Sequence, residues 1–319
     1  MNLDTGRLLG VAWDVAPRLP EPFVLAVMAA AADVTWLAHG SGVRRLEANL
    51  RRVRPELSAR DLRRLSRRGM RSYLRYYAQT LTFGRLTPAQ LDARVRASND
   101  GWIRARQAAG ESVVLALAHT GNWDLAGAWA ARQMPPIATV AEKLEPEELF
   151  QAFLALREGF GVRIVPLGKG EGSSVFRTLV QIVHEGSVLL PLLADRDLSR
   201  HGIEVDLFGE RARVAAGPAA LVAGGAASLA TASLSYERLT GERRRAAGTR
   251  WGVHIDFSDP IEVDPSSAGR ERVVALTQAW VDQVAAGIAA HPQDWHMLQR
   301  VFVADLDPDR LSSVDGRAA

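Results

Sequence analysis

The sequence predicts an α/β fold, in which a mostly parallel central sheet is flanked by helices on both faces and preceded by amphipathic N-terminal helices. Short apolar runs alternate with helical patterns over residues 113–290, which is typical of parallel sheets. Residues 113–118 are apolar at every position, as in a strand buried on both faces. The chain of 319 residues has no Cys, so apolar packing rather than disulfides must support the fold.

The N-terminal segment is apolar but lacks the order of a signal peptide. Asp4 and Asp14 interrupt it, so we expect it to be retained. Residues 22–39 are apolar but contain Asp33, and they are shorter than the ~20 apolar residues of a spanning helix. A helix at a membrane interface and a buried core helix both fit this segment.

Residues 43–77 place apolar side chains at helical spacing among arginines, and Pro55 is expected to divide them into two helices. Residues 44–75 hold twelve Arg against Glu47, Glu56 and Asp61, a charge of +9 in a chain whose total is +3. Such a face favours an anionic membrane surface as partner, and a solvated helical face is the alternative. Nucleic acid is not expected, because no nucleic-acid motif accompanies the arginines.

From residue 113 onward, the sequence predicts alternating strands and helices. Strands are expected at residues 113–118, 137–140, 162–166, 187–193, 229–235 and 251–257, and helices at 123–133, 146–160, 174–184, 218–225 and 270–290. Residues 241–248 are expected to form an exposed hairpin loop.

We divide the chain into an N-terminal helical, basic membrane-associating region (1–100), an α/β core (101–307) and a flexible tail (308–319).

His119 follows the strand predicted at residues 113–118, and a turn separates it from a helix with Asp124 in its first turn. Ligands of open α/β sheets bind at this edge. The bend allows Asp124 to fix the imidazole tautomer while the other ring nitrogen takes a proton from a hydroxyl; stabilisation of the helix N-terminus is the alternative role for Asp124. With no Cys and no G-x-S-x-G turn, the hydroxyl is expected to belong to a bound substrate.

The segment His119-Thr-Gly-Asn-Trp-Asp124 resembles the H-x4-D block of the bacterial membrane acyltransferases that include the late lipid A acyltransferases. Among these enzymes, the chain is most similar to those that acylate phosphatidylinositol mannosides. Six further blocks occur in the same order over roughly residues 100–307: Ala141-Glu142-Lys143-Leu144, Arg157-Glu158-x-x-Gly161, Ala194-Asp195-Arg196-Asp197, Val205-Asp206-x-Phe208-Gly209, Gly217-Pro218 and Trp295-His296-Met297-Leu298-Gln299.

The resemblance implies a site at the ends of the strands. Its catalytic residues would be His119, Asp124, Glu142 and Asp195, and its substrate-binding residues Arg157 and Arg196. The related mannoside enzymes carry Glu at the position of Asp195, and the shorter side chain is expected to weaken an acid role or to need a bridging water. A surface ion pair is the alternative for Glu142, and a structural pair with Asp195 or Glu142 is the alternative for Arg157.

The implied reaction moves a fatty acyl group, palmitoyl, from acyl-CoA to a mannose hydroxyl of a phosphatidylinositol mannoside, at the cytoplasmic face of the inner membrane. Acyl-CoA is a co-substrate, and no cofactor or metal is expected, since H-x3-H and C-x2-C spacings are absent. A late lipid A acyltransferase is the alternative of the same class, and a non-catalytic membrane-binding protein is the alternative of another class. We expect His119, Asp124, Glu142, Arg157 and Asp195 to line one pocket that opens toward the basic helices.

Overall fold

The computed structural model describes residues 15–143, 147–168, 170–197 and 202–306. Its α-helices are α1 Glu21–Ala38, α2 Ser41–Val53, α3 Ala59–Thr82, α4 Pro88–Arg94, α5 Gly101–Ala108, α6 Trp123–Gln133, α7 Glu147–Gly159, α8 Gly172–Glu185, α9 Gly217–Val222, α10 Gly241–Ala247 and α11 Gly269–Ala290. Its strands are β1 Val95–Ser98, β2 Ser112–Leu117, β3 Ile137–Glu142, β4 Val162–Leu167, β5 Leu189–Leu193, β6 Ile203–Leu207, β7 Glu210–Val214, β8 Ala227–Arg238 and β9 Trp251–Phe257.

Seven strands form one sheet in the order β1-β9-β8-β2-β5-β3-β4. From β8 to β4 all neighbours run parallel, whereas β9 is antiparallel to β8 and β1 is parallel to β9. The prediction of a mostly parallel sheet is therefore confirmed. β2 lies inside the sheet with every residue buried, because its continuous apolar run packs against helices on both faces.

Helices cover the two faces of this sheet. On one face, α8, α9 and α11 contribute Leu179, Leu221 and Trp280 to a continuous apolar core. On the other face, α4, α5, α6 and α7 pack a second core that includes Leu125 and Phe150. The helices predicted on both sides of the sheet are thus present, and they leave the C-terminal ends of the parallel strands as the edge where a site can form.

The N-terminal helices α1, α2 and α3 pack against each other. Pro55 lies between the end of α2 and the start of α3, which confirms the predicted division. α1 is continuous through Asp33, and both oxygens of this carboxylate accept hydrogen bonds from Arg67 and Arg71 on α3. The apolar helix therefore carries its single internal charge on the face that contacts α3.

Most arginines of residues 44–75 are already paired with carboxylates. Seven of the twelve form ion pairs: Arg45 with Asp305, Arg52 with Asp305 and Glu210, Arg54 with Glu56, Arg63 with Glu47, Arg64 with Asp61, and Arg67 and Arg71 with Asp33. The face is thus less positive than the sequence count indicates. Its docking on an anionic membrane stays a prediction.

α1 presents an apolar stripe to solvent. Phe23, Val27, Val34 and Leu37 are 49–68% exposed, and their spacing places them on one side of the helix. Only 11% of α1 is buried, so the alternative of a buried core helix is wrong. By length and composition, α1 and α11 are the two described helices that could cross a membrane, although core helices such as α11, which buries Trp280, meet the same criterion.

Two parts of the sequence prediction need correction. Residues 241–247 form helix α10 rather than a loop, since Arg94 Nε donates to the Ala247 carbonyl at 3.0 Å and Arg243 Nε to the Ala93 carbonyl at 2.8 Å. Strand β1, helices α4 and α5 and the hairpin of β6 and β7 were not predicted. The three-region division stays a prediction: β1 joins the sheet from before residue 101, and the tail at 308–319 lies outside the described residues.

Candidate active site

The turn after β2 carries His119 and depends on a glycine. Gly121 has a φ of 58°, and a Cβ there would lie 2.9 Å from the backbone of Leu234, so only glycine fits without distortion. Asn122 caps α6 by accepting from the Leu125 N–H at 2.9 Å. The His296 N–H donates to the His119 carbonyl at 2.7 Å. The turn is therefore held by β8, α6 and the segment after α11.

His119 pairs with Asp195 across two neighbouring strands. β2 and β5 are parallel with Leu117 opposite Leu193, so the residues two positions further on also stand side by side. His119 Nδ1 lies 2.6 Å from Asp195 Oδ1, and the His119 N–H donates to Oδ2 at 3.1 Å. The Trp295 indole N–H also donates to Oδ2, at 2.9 Å. With Nδ1 occupied, the carboxylate selects the tautomer whose Nε2 accepts a proton.

The two charges of this pair stabilise each other. Burial acts to lower the pKa of His119, but the charge and hydrogen bond of Asp195 oppose it and leave this pKa above its usual value. Burial likewise acts to raise the pKa of Asp195, and His119 and Trp295 hold it below its usual value. The site thereby favours the imidazolium that forms when His119 accepts a proton.

Asp124 does not contact the imidazole, which corrects the sequence prediction. Its carboxylate accepts from Arg157 Nε at 2.7 Å and from the Tyr76 hydroxyl at 2.7 Å. Because Asp124 lies in the first turn of α6, it points toward α3 and α7 rather than along the sheet edge. The structural partner of Arg157 is therefore Asp124, and neither Asp195 nor Glu142.

Comparison with known proteins identifies the family of the chain. The sequence profile of the bacterial lipid A biosynthesis acyltransferases matches residues 7–303. The chain belongs to this family. It is 35% identical over 309 residues to the phosphatidylinositol mannoside acyltransferase of Mycolicibacterium smegmatis, covering 96% of this chain and 93% of that protein. It is also 35% identical over 284 residues to the phosphatidylinositol mannoside acyltransferase of Mycobacterium tuberculosis (strain CDC 1551 / Oshkosh), covering 88% and 84%. The predicted family and the predicted acyltransferase class are thus confirmed.

In this acyltransferase, Trp123 lies between the pair of His119 and Asp195 and the contacts of Asp124 with Tyr76 and Arg157. Its indole stacks on Tyr76 with ring centroids 4.1 Å apart and lies edge-on to His119 at 5.5 Å. Glu142 is the last residue of β3, which lies next to β5 on the side away from β2. It is exposed, and its charge helps to raise the pKa of His119, while exposed Arg196 lowers it. His119, Asp195, Glu142 and Arg196 are therefore connected by a contact or by charge at one edge of the sheet. Asp124 and Arg157 form a separate pair, which reaches His119 only through Tyr76 and Trp123.

Three aromatic residues of the site were not assigned a role from the sequence. Trp295 donates a hydrogen bond to Asp195, and Tyr76 of α3 donates one to Asp124. His296 is buried with Nε2 at 3.0 Å from Ser72 Oγ, and burial lowers its pKa to about 3. The sequence block at residues 295–299 could have indicated that Trp295 and His296 belong to the site, whereas no local pattern indicates Tyr76.

Asp124→Asn is expected to destabilise the protein. Asp124 is 3% and Arg157 22% exposed as side chains, so neutralising the carboxylate leaves a mostly buried guanidinium without its counter-charge. Breaking such a pair costs about 3 kcal/mol. Thermal unfolding measures the effect, and Asp92→Asn, which alters an exposed pair with Arg132, is the matched control. Equal midpoints for Asp124→Asn and wild type would contradict a structural role.

Proposed function

We propose that this acyltransferase moves a palmitoyl group from acyl-CoA to a mannose hydroxyl of a phosphatidylinositol mannoside. The observation that carries the proposal is the pair of His119 and Asp195, in a chain that is 35% identical to two proteins named for that acceptor. The side chain of His119 is 36% exposed, so a substrate can approach Nε2. Proteins that only bind membranes need no such base beside a selected tautomer.

In the proposed reaction, His119 Nε2 takes the proton of the mannose hydroxyl, and the oxygen of this hydroxyl attacks the thioester carbonyl carbon. The tetrahedral oxyanion collapses, the carbon–sulfur bond breaks and the sulfur of CoA leaves. His119 returns the proton to that sulfur, so the products are an ester and free CoA. Asp195 keeps its charge throughout and stabilises the transient imidazolium.

Arg157 and Arg196 are the proposed electrostatic partners of the substrates. Asp124 occupies Arg157 Nε and Tyr76 also hydrogen-bonds the guanidinium, so its remaining N–H groups are the ones proposed to donate to a carbonyl or oxyanion. Arg196 Nε donates to the Arg300 carbonyl at 3.2 Å, and the side chain is exposed. Glu142, exposed at the end of β3, is proposed to tune the basicity of His119 through its charge.

Release of free thiol from palmitoyl-CoA tests the reaction directly. Thiol release is expected to rise when a phosphatidylinositol mannoside is added and to stay at background with phosphatidylinositol, which has no mannose. Mass spectrometry of the product should show one added palmitoyl group. Acylation of a lipid A precursor instead would favour the alternative of the same class, and no stimulation by any acceptor would contradict the proposal.

The proposed location is the cytoplasmic face of the inner membrane, with the protein bound peripherally. The acceptor is a lipid, and the apolar stripe of Phe23, Val27, Val34 and Leu37 on α1 is exposed to solvent. Such a stripe can lie in the interface between headgroups and acyl chains. Because seven arginines of residues 44–75 are neutralised by ion pairs, we propose that α1 supplies more of the binding than charge does.

Val34→Ser combined with Leu37→Ser is expected to weaken vesicle binding by about tenfold or more, since fully burying each wild-type side chain contributes about 1.5–3 kcal/mol. Cosedimentation with anionic and neutral vesicles at low and high salt measures it. Thr35→Ser, also exposed on α1, is the control. A component of binding should survive high salt, whereas charge-driven binding is screened. Complete loss in salt, with no effect of the double change, would contradict the role of α1.

A further inference from the structure

A cluster of three arginines, Arg75, Arg238 and Arg250, stands beside the active-site edge with no carboxylate partner in the part of the chain that the structure describes. Arg75 of α3 lies over the Trp251 ring at 3.5 Å and over the Tyr236 ring at 4.6 Å, and Arg238 lies over Trp251 at 4.0 Å. Arg250 precedes Trp251 and is exposed. Among the described residues, none of the three forms an ion pair, because the neighbouring carboxylate of Glu237 is engaged by Arg96 and Arg243.

The indole of Trp251 orients the side chains of Arg75 and Arg238 but leaves their N–H donors available. A guanidinium that stacks on an aromatic ring uses its flat face, and its N–H groups remain along its edge. Burial lowers the pKa of Arg75; Tyr236 and Asp294 oppose this effect, and the positive charges of Arg238 and Arg250 add to it. Positive charges held this close repel each other, so a bound anion would relieve a real cost.

The cluster is connected to the turn that carries His119. The Tyr236 N–H donates to Asp294 Oδ2 at 3.0 Å, and the Gly121 N–H donates to the Asp294 carbonyl at 2.9 Å. Arg238 lies two residues beyond Tyr236, which is about 7 Å further along β8. Since β8 continues well past the end of β2, it carries the arginines beyond the sheet edge, on the side of α3.

We propose that Arg75 and Arg238, with the charge of the neighbouring Arg250, form a phosphate-binding site at Trp251 that holds a phosphate of one of the two substrates during acyl transfer. The proposal rests on the proposed function for the identity of those substrates. Both of them carry the required chemistry, since the acceptor has a phosphodiester and CoA has phosphates. Arginine suits this ligand because its fork of N–H donors matches phosphate oxygens.

Calorimetric titration of the full chain at low salt, with soluble probes, tests the site without turnover. Glycerophosphoinositol is compared with inositol, and CoA with pantetheine, so that each phosphate-bearing probe has a counterpart without phosphate. Arg75→Gln and Arg238→Gln are each expected to weaken the binding of one phosphate-bearing probe about tenfold, the effect of one charge-assisted hydrogen bond. Arg177→Gln, which removes an exposed charge on α8, should bind like wild type.

The probe that responds identifies the source of the phosphate. A loss confined to glycerophosphoinositol assigns the site to the acceptor, and a loss confined to CoA assigns it to the donor. In steady-state assays the same substrate should show a raised KM with kcat little changed. The site is disproved if neither phosphate-bearing probe binds wild type, or if the cluster variants bind both as wild type does. Arg238 and Arg250 are exposed, so Arg238→Gln and Arg250→Gln keep the test valid if Arg75→Gln fails to fold.

These results separate the site from the reaction. Binding that depends on the cluster, without any acyl transfer to a mannoside, would support the phosphate site and refute the proposed function. Acyl transfer with unchanged KM values and unchanged probe binding in all cluster variants would support the proposed function and refute the phosphate site.

Discussion

His119→Ala is expected to reduce acyl transfer by about 100-fold or more, the usual contribution of a general base. The change removes Nε2, the atom proposed to take the proton of the acceptor hydroxyl. Asp195 keeps the His119 N–H and the Trp295 indole as donors, so the fold should persist. Initial rates of thiol release with a saturating mannoside acceptor measure the loss, and thermal unfolding checks the fold.

His184→Ala is the matched control for this experiment. His184 is exposed near the end of α8, and its ring bonds the Val180 carbonyl of the same helix at 2.7 Å. Its removal should leave turnover unchanged. If His119→Ala retains activity within about threefold of wild type while folded, general base catalysis by this residue is ruled out.

Asp195→Asn is expected to lower the plateau rate by roughly 1,000-fold or more, because the amide can present the wrong group to Nδ1 and no longer stabilises the imidazolium. The pH profile provides a second readout. A general base acts when neutral, so activity rises as pH increases through the pKa of His119. Asp195 raises this pKa, and its loss should therefore move the acid limb of the profile to lower pH.

Asp195→Glu distinguishes a charge effect from a geometric one. Asp195 reaches Nδ1 directly at 2.6 Å, so the bridging water expected from its short side chain is not needed. The longer Glu keeps the charge and should retain the acid limb near its wild-type position, with a smaller loss of rate than Asn. An acid limb that stays in place in Asp195→Asn would show that the carboxylate does not control the base.

Local sequence patterns were sufficient to predict the strand and the helix on either side of His119. The apolar run before His119 and the Asn122 cap are short-range signals, and they correspond to β2 and to α6 over residues 123–133. The same reasoning missed α10, whose arginines suggested an exposed loop. This helix is joined to α4 by hydrogen bonds from Arg94 and Arg243 to backbone carbonyls far away in the chain, which no local pattern indicates.

Which carboxylate pairs with His119 depends on packing between parts of the chain that are distant in sequence. The sequence paired His119 with Asp124, which is only five residues away, but α6 turns Asp124 toward Tyr76 and Arg157. Asp195 is the partner because β5 lies next to β2 and pairs with it in parallel. No local pattern encodes strand order, since it results from packing of whole elements across the core.

By itself, the sequence determined the fold class, the position of His119 at the end of a buried strand and, through its ordered blocks, membership in the acyltransferase family. These properties depend on residue periodicity and motif order, which can be read along the chain. Only the tertiary structure decided that Asp195 binds His119, that Asp124 binds Arg157, and that ion pairs neutralise most arginines near the N-terminus. Those properties depend on distances between residues that are remote in the sequence, and folding alone brings them together.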